Sequence, residues 1–373
     1  MIAPFRLENF YADWEFNAKY NVSASDAETM SVSELLGYAN DEDRKAWEEL
    51  TLGYRPVEGD GRLRELIAQT YDTLEADDIL CFAGAEEGIW CAMHALLTSS
   101  DHAIVTTPNY QSWESIPLSI TTVTGVRLRE EHGWAIDLDE LEHALRPQTK
   151  LIAVNFPNNP TGAVADRATF DTIIRIAAER DLYLFSDEVY RGVERDPSQR
   201  LPQAADLYER GISLGVMSKA YGMPGLRIGW IACRDRDLLA EMGQLKHYLS
   251  ICNAGPSEIL ARIALNARER VLARTTSIVV NNLEQLRTFF GARRDLFSWH
   301  EPRGGCVGFP KYLGADGVEA FCRRLLKEHG ILLAPGSLFR SELQPVPSDH
   351  FRIGFGRRSI ERTLPVLTAA IEF

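Results

Sequence analysis

An amine, a carboxylate and a guanidinium each stand at the edge of an apolar run in the middle of this chain. Lys219 follows "SLGVMS" (213–218), Asp187 closes "LYLFSD" with Tyr190 three residues on, and Arg227 lies eight residues after Lys219 in "SKAYGMPGLRIG". Lysine is seldom fully buried without a partner, so an amine placed after so apolar a run implies that the amine is used. Desolvated and close to other cations it would lose its proton easily, becoming a nucleophile toward a carbonyl or a general base. Two more run ends carry chemistry. "CFAGAEEG" sets Gly84, Ala85 and Glu86 at the start of a helix, where small residues let backbone N–H groups approach an anion. "NFPNNPTG" ends in asparagines, Asn159 among them, and a Pro-Thr-Gly turn. Each feature has an ordinary explanation when taken alone: a helix-capping Asp, a solvated charge, a good turn. Their order on successive runs points to one site.

Such convergence needs an open sheet, because α/β sheets bind ligands beyond the carboxyl ends of their strands. The sequence predicts buried strands at 103–108, 151–157, 182–188, 213–218 and 227–233. Amphipathic helices are expected in "GRLRELIAQTY", "EEGIWCAMHALL" and "TFDTIIRIAAER". After about residue 256 the texture becomes α+β: a long helical stretch, strand-like "CVGFPKYL", helical "VEAFCRRLLKEHG", then strands "ILLAPG" and "HFRIGFG". The expectation is an α/β fold with a mostly parallel central sheet over 45–256. A smaller α+β domain would be built from 1–44 and 257–373. The first 45 or so residues lack regular periodicity and are expected to pack on that domain or line a cleft.

Composition narrows the partners. With 373 residues and a formal charge of −13, the chain offers no basic face for nucleic acid or an anionic membrane. No apolar run reaches the roughly 18 residues of a membrane span, and the start lacks a secretion signal, so a cytoplasmic location is expected. The six cysteines are scattered, without C-x-x-C or metal spacing, and read as reduced thiols with no metal site. Walker, zinc-protease, nucleophile-elbow and G-x-G-x-x-G motifs are absent.

From "YRPVEGDGRLRELIA" through "PNYQSW", "NFPNNPTG", "SDEVYRG" and "SKAYGMPGLRIGW" to "FRIGFGRRS", the chain resembles the class I/II pyridoxal-phosphate-dependent aminotransferases of fold type I. The resemblance implies pyridoxal 5'-phosphate as cofactor. Lys219 would join the cofactor aldehyde as an imine and later shuttle the substrate Cα proton. Asp187 would pair with the pyridine nitrogen, Asn159 and Tyr190 would donate to the ring hydroxyl oxygen, and Tyr110 would stack on the ring. Arg227, Ser218 and the backbone of Gly84, Ala85 and Glu86 would hold the phosphate. Tyr54 would reach the phosphate of a neighbouring subunit, making a homodimer with shared active sites. Arg352 would take the α-carboxylate of a small amino-acid substrate.

Two departures bear on the reaction. Where relatives carry a hydroxyl residue three positions before the lysine, this chain has Val216. In place of a glycine-rich lid the N-terminal segment reads "NAKYNVSASDAETMSVSELL". Its Ser25, Asp26 and Glu28 are candidates for an acidic lid over a cationic substrate such as arginine, and equally for a solvated loop with "SVSE" capping the next helix. "KHYLSICNAGPSE" (246–258) supplies no arginine for a distal carboxylate, which argues against aspartate. The expected reaction is amino transfer to a 2-oxo acid. "GAEEGIW" and "SLGVMSKA" also resemble capreomycidine-synthase-like members, implying an alternative in which a hydroxylated arginine undergoes elimination and cyclisation. A remote alternative is a non-catalytic sensor.

Overall fold

The computed structural model describes residues 2–372. In chain order the strands are β1 (Tyr20–Asn21), β2 (Ile79–Phe82), β3 (His102–Thr107), β4 (Thr122–Arg129), β5 (Ala135–Ile136), β6 (Thr149–Asn155), β7 (Tyr183–Asp187), β8 (Gly211–Val216), β9 (Gly229–Cys233), β10 (Phe297–Ser298), β11 (Val307–Gly308), β12 (Lys311–Tyr312), β13 (Ile331–Leu332), β14 (Ala334–Pro335) and β15 (Phe351–Gly354). The large sheet has the order β2-β9-β8-β7-β6-β3-β4-β5. Neighbours from β8 to β4 pair parallel, while β9 and β5 run against them.

Alternation along the central strands sorts their side chains into two cores. Val105, Leu151, Phe185 and Leu214 face one cluster, and Ile104, Ile152 and Leu184 face the other. Helices Ala85–Leu96 and Arg236–Lys246 contribute Ile89, Met93, Leu239 and Met242 to the first. Helix Arg167–Glu179 contributes Phe170 and Ile173 to the second. Both faces being covered, β3, β8 and β9 are buried throughout, which is why they read as continuous apolar runs.

The observed strands are displaced by up to two residues from the expected limits. At β9 the cause is Arg227, whose left-handed backbone (φ +51°) holds it outside the strand. β2 and β4 were not anticipated as strands; β4 lies toward the sheet edge and half of it is open to solvent. Beyond the sheet, helices Gly255–Asn266 and Arg268–Ala292 lead to β11-β15-β14, an antiparallel sheet in which Ala334 pairs with Arg352. The chain start is more ordered than its periodicity suggests: it holds helices Arg6–Trp14, Val32–Leu36 and Asp41–Glu48, and β1 pairs parallel with β13. Ser31 caps its helix by accepting from the Glu34 N–H at 3.1 Å. No described helix is long and apolar enough to cross a membrane.

Candidate active site

Register does the first part of the assembly. Asn155 and Asp187 are paired at the ends of β6 and β7, and Lys219 follows β8 by three residues. The Asp187 carboxylate accepts from Trp113 Nε1 at 2.9 Å and from the Val189 N–H at 3.2 Å. Burial nonetheless pushes its pKa up to about 6, so two donors and the nearby Lys219 only partly offset desolvation. Trp113 is itself locked edge-on against Phe185, with ring centroids 4.7 Å apart. Asn155 donates to the Asp187 carbonyl at 3.1 Å and accepts from the Asn159 N–H at 2.8 Å. Asn159 Oδ1 in turn accepts from Arg352 Nη1 at 3.0 Å.

Lys219 Nζ donates to Ser25 Oγ at 2.7 Å, and the fully buried Tyr190 hydroxyl donates to the Ser25 carbonyl at 2.7 Å. Desolvation lowers the lysine pKa and the charge of Arg352 adds to it, while Asp26 and Glu8 oppose. The amine is thus held by a hydroxyl rather than by a carboxylate, and is poised to lose a proton.

Around the start of helix Ala85–Leu96 the chain builds an anion cradle. No side chain caps that helix, leaving its first N–H groups to an external acceptor. Gly84 has φ +95°, and a Cβ there would come within 2.3 Å of Arg227 Nη2; one at Gly229 would lie 2.8 Å from the Ala85 nitrogen. Neither glycine can therefore carry a side chain without displacing the guanidinium or the helix start. Arg227, strained into the left-handed region, and Ser218 complete the cradle. Burial pushes Glu86 up to about 7, which keeps this end of the cavity from carrying a full negative charge. A cationic cradle, a buried carboxylate and a lysine whose pKa burial lowers fit the phosphate, pyridine nitrogen and aldehyde of pyridoxal phosphate.

These groups line one cavity of about 540 Å3. Its far wall comes from the chain start: Phe5, Glu8 and Glu15, on and beside helix Arg6–Trp14. Glu8 accepts from the Tyr110 hydroxyl at 2.8 Å, and Phe5 lies 5.0 Å from the Tyr110 ring. Burial raises the Glu15 pKa, opposed by Arg357 and Lys219.

Of the expected residues, Ala85, Glu86, Tyr110, Asn159, Asp187, Tyr190, Ser218, Lys219 and Arg227 line this cavity, with Gly84 behind the cradle. Ser25 touches Lys219. The acidic residues expected from the N-terminal segment are a different pair. Asp26 is engaged bidentately by Arg357, both contacts at 2.8 Å, and Glu28 accepts from the Arg358 N–H at 2.7 Å; neither lines the cavity. Glu8 and Glu15 take that place. Arg352 is fully buried one layer behind, donating to the Ser23 carbonyl at 2.9 and 3.2 Å, to Tyr11 and to Asn159. Tyr54 lies outside the cavity, with 89% of its surface exposed. Trp113, Asn155, Glu8 and Glu15 were not anticipated. Trp113 and Asn155 stand inside quoted motifs, "PNYQSW" and "LIAVNFP", whereas the two glutamates are legible only once the first helix is recognised.

The strand-end lysine, the carboxylate under Trp113 and the uncapped helix start define a fold type I enzyme that uses pyridoxal phosphate. Comparison with known proteins carries this further. The chain belongs to the aminotransferase class I and II family, whose model matches residues 26–366. It is 28% identical to capreomycidine synthase of Streptomyces vinaceus over 97% of this chain and 92% of that one. It is likewise 28% identical to the arginine–pyruvate transaminase of Pseudomonas aeruginosa, over 81% of this chain and 77% of that one. A PLP-dependent aminotransferase structure from Streptococcus suis superposes with a TM-score of 0.92 at 29% identity, covering 100% of this chain and 98% of the other.

Proposed function

We propose that this enzyme transfers the amino group of an L-amino acid with a cationic, guanidinium-type side chain to a 2-oxo acid. The observation that carries the substrate class is the far wall of the cavity. Glu8 and Glu15 both face it, and neither makes an ion pair among the described residues. Glu8 is exposed at the rim of the cavity and Glu15 half-buried, so together they give this wall a negative potential that favours a cationic side chain, and a guanidinium can meet a carboxylate bidentately. Chain-long similarity to capreomycidine synthase and similarity to an arginine transaminase support the same class.

When bound, the cofactor supplies an electron sink for the charge that develops at the substrate Cα. In this reading Lys219 would hold the cofactor covalently and, when its amine is free, would take and return the substrate Cα proton, its lowered pKa suiting it to act as a base. Asp187 keeps the pyridine nitrogen protonated and Trp113 keeps Asp187 aimed. Asn159 would donate to the ring oxygen, Tyr190 would do so on giving up its bond to the Ser25 carbonyl, and Tyr110, tethered to Glu8, would stack on the ring and exclude water. Gly84, Ala85, Glu86, Ser218 and Arg227 hold the phosphate. Arg352 would take the α-carboxylate by exchanging its Asn159 or Ser23 contact for the ligand, since its guanidinium is buried behind the cavity wall. Asp26 and Glu28 fasten the segment that carries Ser25 through Arg357 and the Arg358 backbone.

A homodimer with shared sites belongs to the same reading. Leu52, Tyr54, Tyr248, Leu249 and Ile251 are exposed apolar residues on two segments that meet where Gly255 faces Leu50 and Arg55. The Ser250 N–H donates to Glu87 at 3.1 Å, tying this patch to the cradle helix.

The test is a panel of amino acids read by the visible spectrum of the holoenzyme. Arginine and its hydroxylated forms should convert the cofactor to its aminated form far more readily than aspartate or alanine. Equal rates for all three would end the proposal. Elimination and cyclisation of a hydroxylated arginine is the second reading, favoured by the capreomycidine synthase match. It would give a product one water lighter than its substrate, with no aminated cofactor and no 2-oxo acid consumed.

A further inference from the structure

Directly behind the strand ends that carry Asp187 and Lys219 lies a second cavity of about 250 Å3. Val189 and Val216 line both cavities, so the two are separated by one layer of side chains. Nothing in the reading above uses the second one. Its lining is unusual for a space between a sheet and a helix, since Arg191, Arg200, Arg268 and Glu188 all face it.

The charges do not cancel. Arg200 is paired with Glu194 at 2.9 Å. Arg191 donates to the Leu201 carbonyl and Arg268 to the Gln69 carbonyl at 3.1 Å, and neither has a carboxylate partner among the described residues. Glu188 supplies little compensation. One of its oxygens accepts from the Ala204 N–H at 3.0 Å and Ser213 Oγ at 2.9 Å, while the other is buried with no partner. Burial pushes that carboxyl up to about 7 even though the Ala204 N–H and the charge of Arg191 oppose the shift, so it compensates the arginines only in part. Tyr221 is buried two residues beyond Lys219; burial pushes its pKa up to about 12 against the opposing charges of the same three arginines, and its hydroxyl makes no hydrogen bond among the described residues. Carbonyl groups orient the arginines but leave their charge unneutralised, in a protein whose formal charge is −13.

We propose that this cavity is a binding site for a small oxyanion, phosphate or carboxylate, held by the guanidinium groups of Arg191 and Arg268 and by the Tyr221 hydroxyl. Planar guanidinium donors and a hydroxyl match the geometry of both oxyanion types. The site is distinct from the cofactor cradle, whose anion is already in place in the loaded enzyme.

The experiment is isothermal titration calorimetry of the pyridoxal-phosphate-loaded enzyme with inorganic phosphate and, separately, citrate, at constant ionic strength set with sodium chloride. One saturable site per chain is expected for at least one anion, and which one binds identifies the source. Arg191→Gln and Arg268→Gln should each weaken binding at least tenfold. Arg200→Gln, which removes an arginine already paired with Glu194, should change it less than threefold. Thr70→Glu places a carboxylate on the cavity lining at the cost of one hydroxyl bond to the Ile67 carbonyl, and should abolish binding even if an arginine variant fails to fold. A rise in melting temperature with anion should accompany binding and vanish in Thr70→Glu. No saturable heat with either anion, or undiminished binding in Thr70→Glu and the folded arginine variants, overturns the proposal.

Discussion

The two walls of the main cavity are built differently. The sheet wall ends three neighbouring strands, and its polar groups are fixed by register and by buried hydrogen bonds: Asp187 by Trp113, Asn159 by Asn155 and Arg352. The opposite wall is a nine-residue helix, Arg6–Trp14, with only Leu7 and Tyr11 buried beneath it. Groups that must stay aimed through every turnover sit on the rigid side. The groups proposed to select the substrate side chain sit on an element with only two buried residues, where substitution costs the fold little.

This contrast can be broken by experiment. Lys219→Ala should lower turnover by at least about 10⁴-fold while the protein keeps its fold, since anchor and base are lost together; turnover within tenfold of the parent would remove the lysine from the mechanism. Glu8→Gln with Glu15→Gln should raise the KM for arginine on the order of 100-fold with a much smaller change in kcat, and should narrow the preference over alanine. If kcat falls instead, the second wall takes part in the chemistry. Trp113→Phe removes a hydrogen bond worth about 2 kcal/mol to a buried carboxylate. The Asp187 pKa should then rise further above about 6. Because only the ionised carboxylate pairs with the pyridinium, cofactor affinity of the apoprotein should weaken as pH falls through 6, with a midpoint shifted upward in the variant. An unchanged midpoint would show that Trp113 does not aim Asp187. Tyr54→Phe should have the smallest effect, a several-fold loss of cofactor retention that grows on dilution as dimers dissociate; no loss at any concentration would separate Tyr54 from the site.

The same contrast explains what could be read from the residues alone. The sheet wall was legible because its strands are buried on both faces and end in polar residues that have no business in a core: Lys219, Asp187, Asn159. The strands with weaker patterns, β2 and β4, were missed, one for its four-residue length and the other for its solvated edge. Asp26 and Glu28 drew attention as acids in a suggestive segment, but acid content does not reveal direction. Arg357 and the Arg358 backbone turn both away from the cavity. Glu8 and Glu15 face it because Leu7 and Tyr11 set the rotation of a helix too short to show a clear period. Arg352 was identified as a residue of interest, yet its burial under the Ser23 carbonyl depends on a contact across 329 positions that no local pattern encodes.

The pairing of β1 with β13 joins Tyr20 to Ile331. During translation the sheet wall can condense as soon as β9 emerges, and the first helix can already meet Tyr110 and Gln111, but β1 behind it has no strand to pair with until residue 331 is delivered. A nascent chain stalled before residue 331 would therefore hold a finished cofactor cradle beneath a first helix whose trailing segment, with Ser25 on it, is not yet fastened.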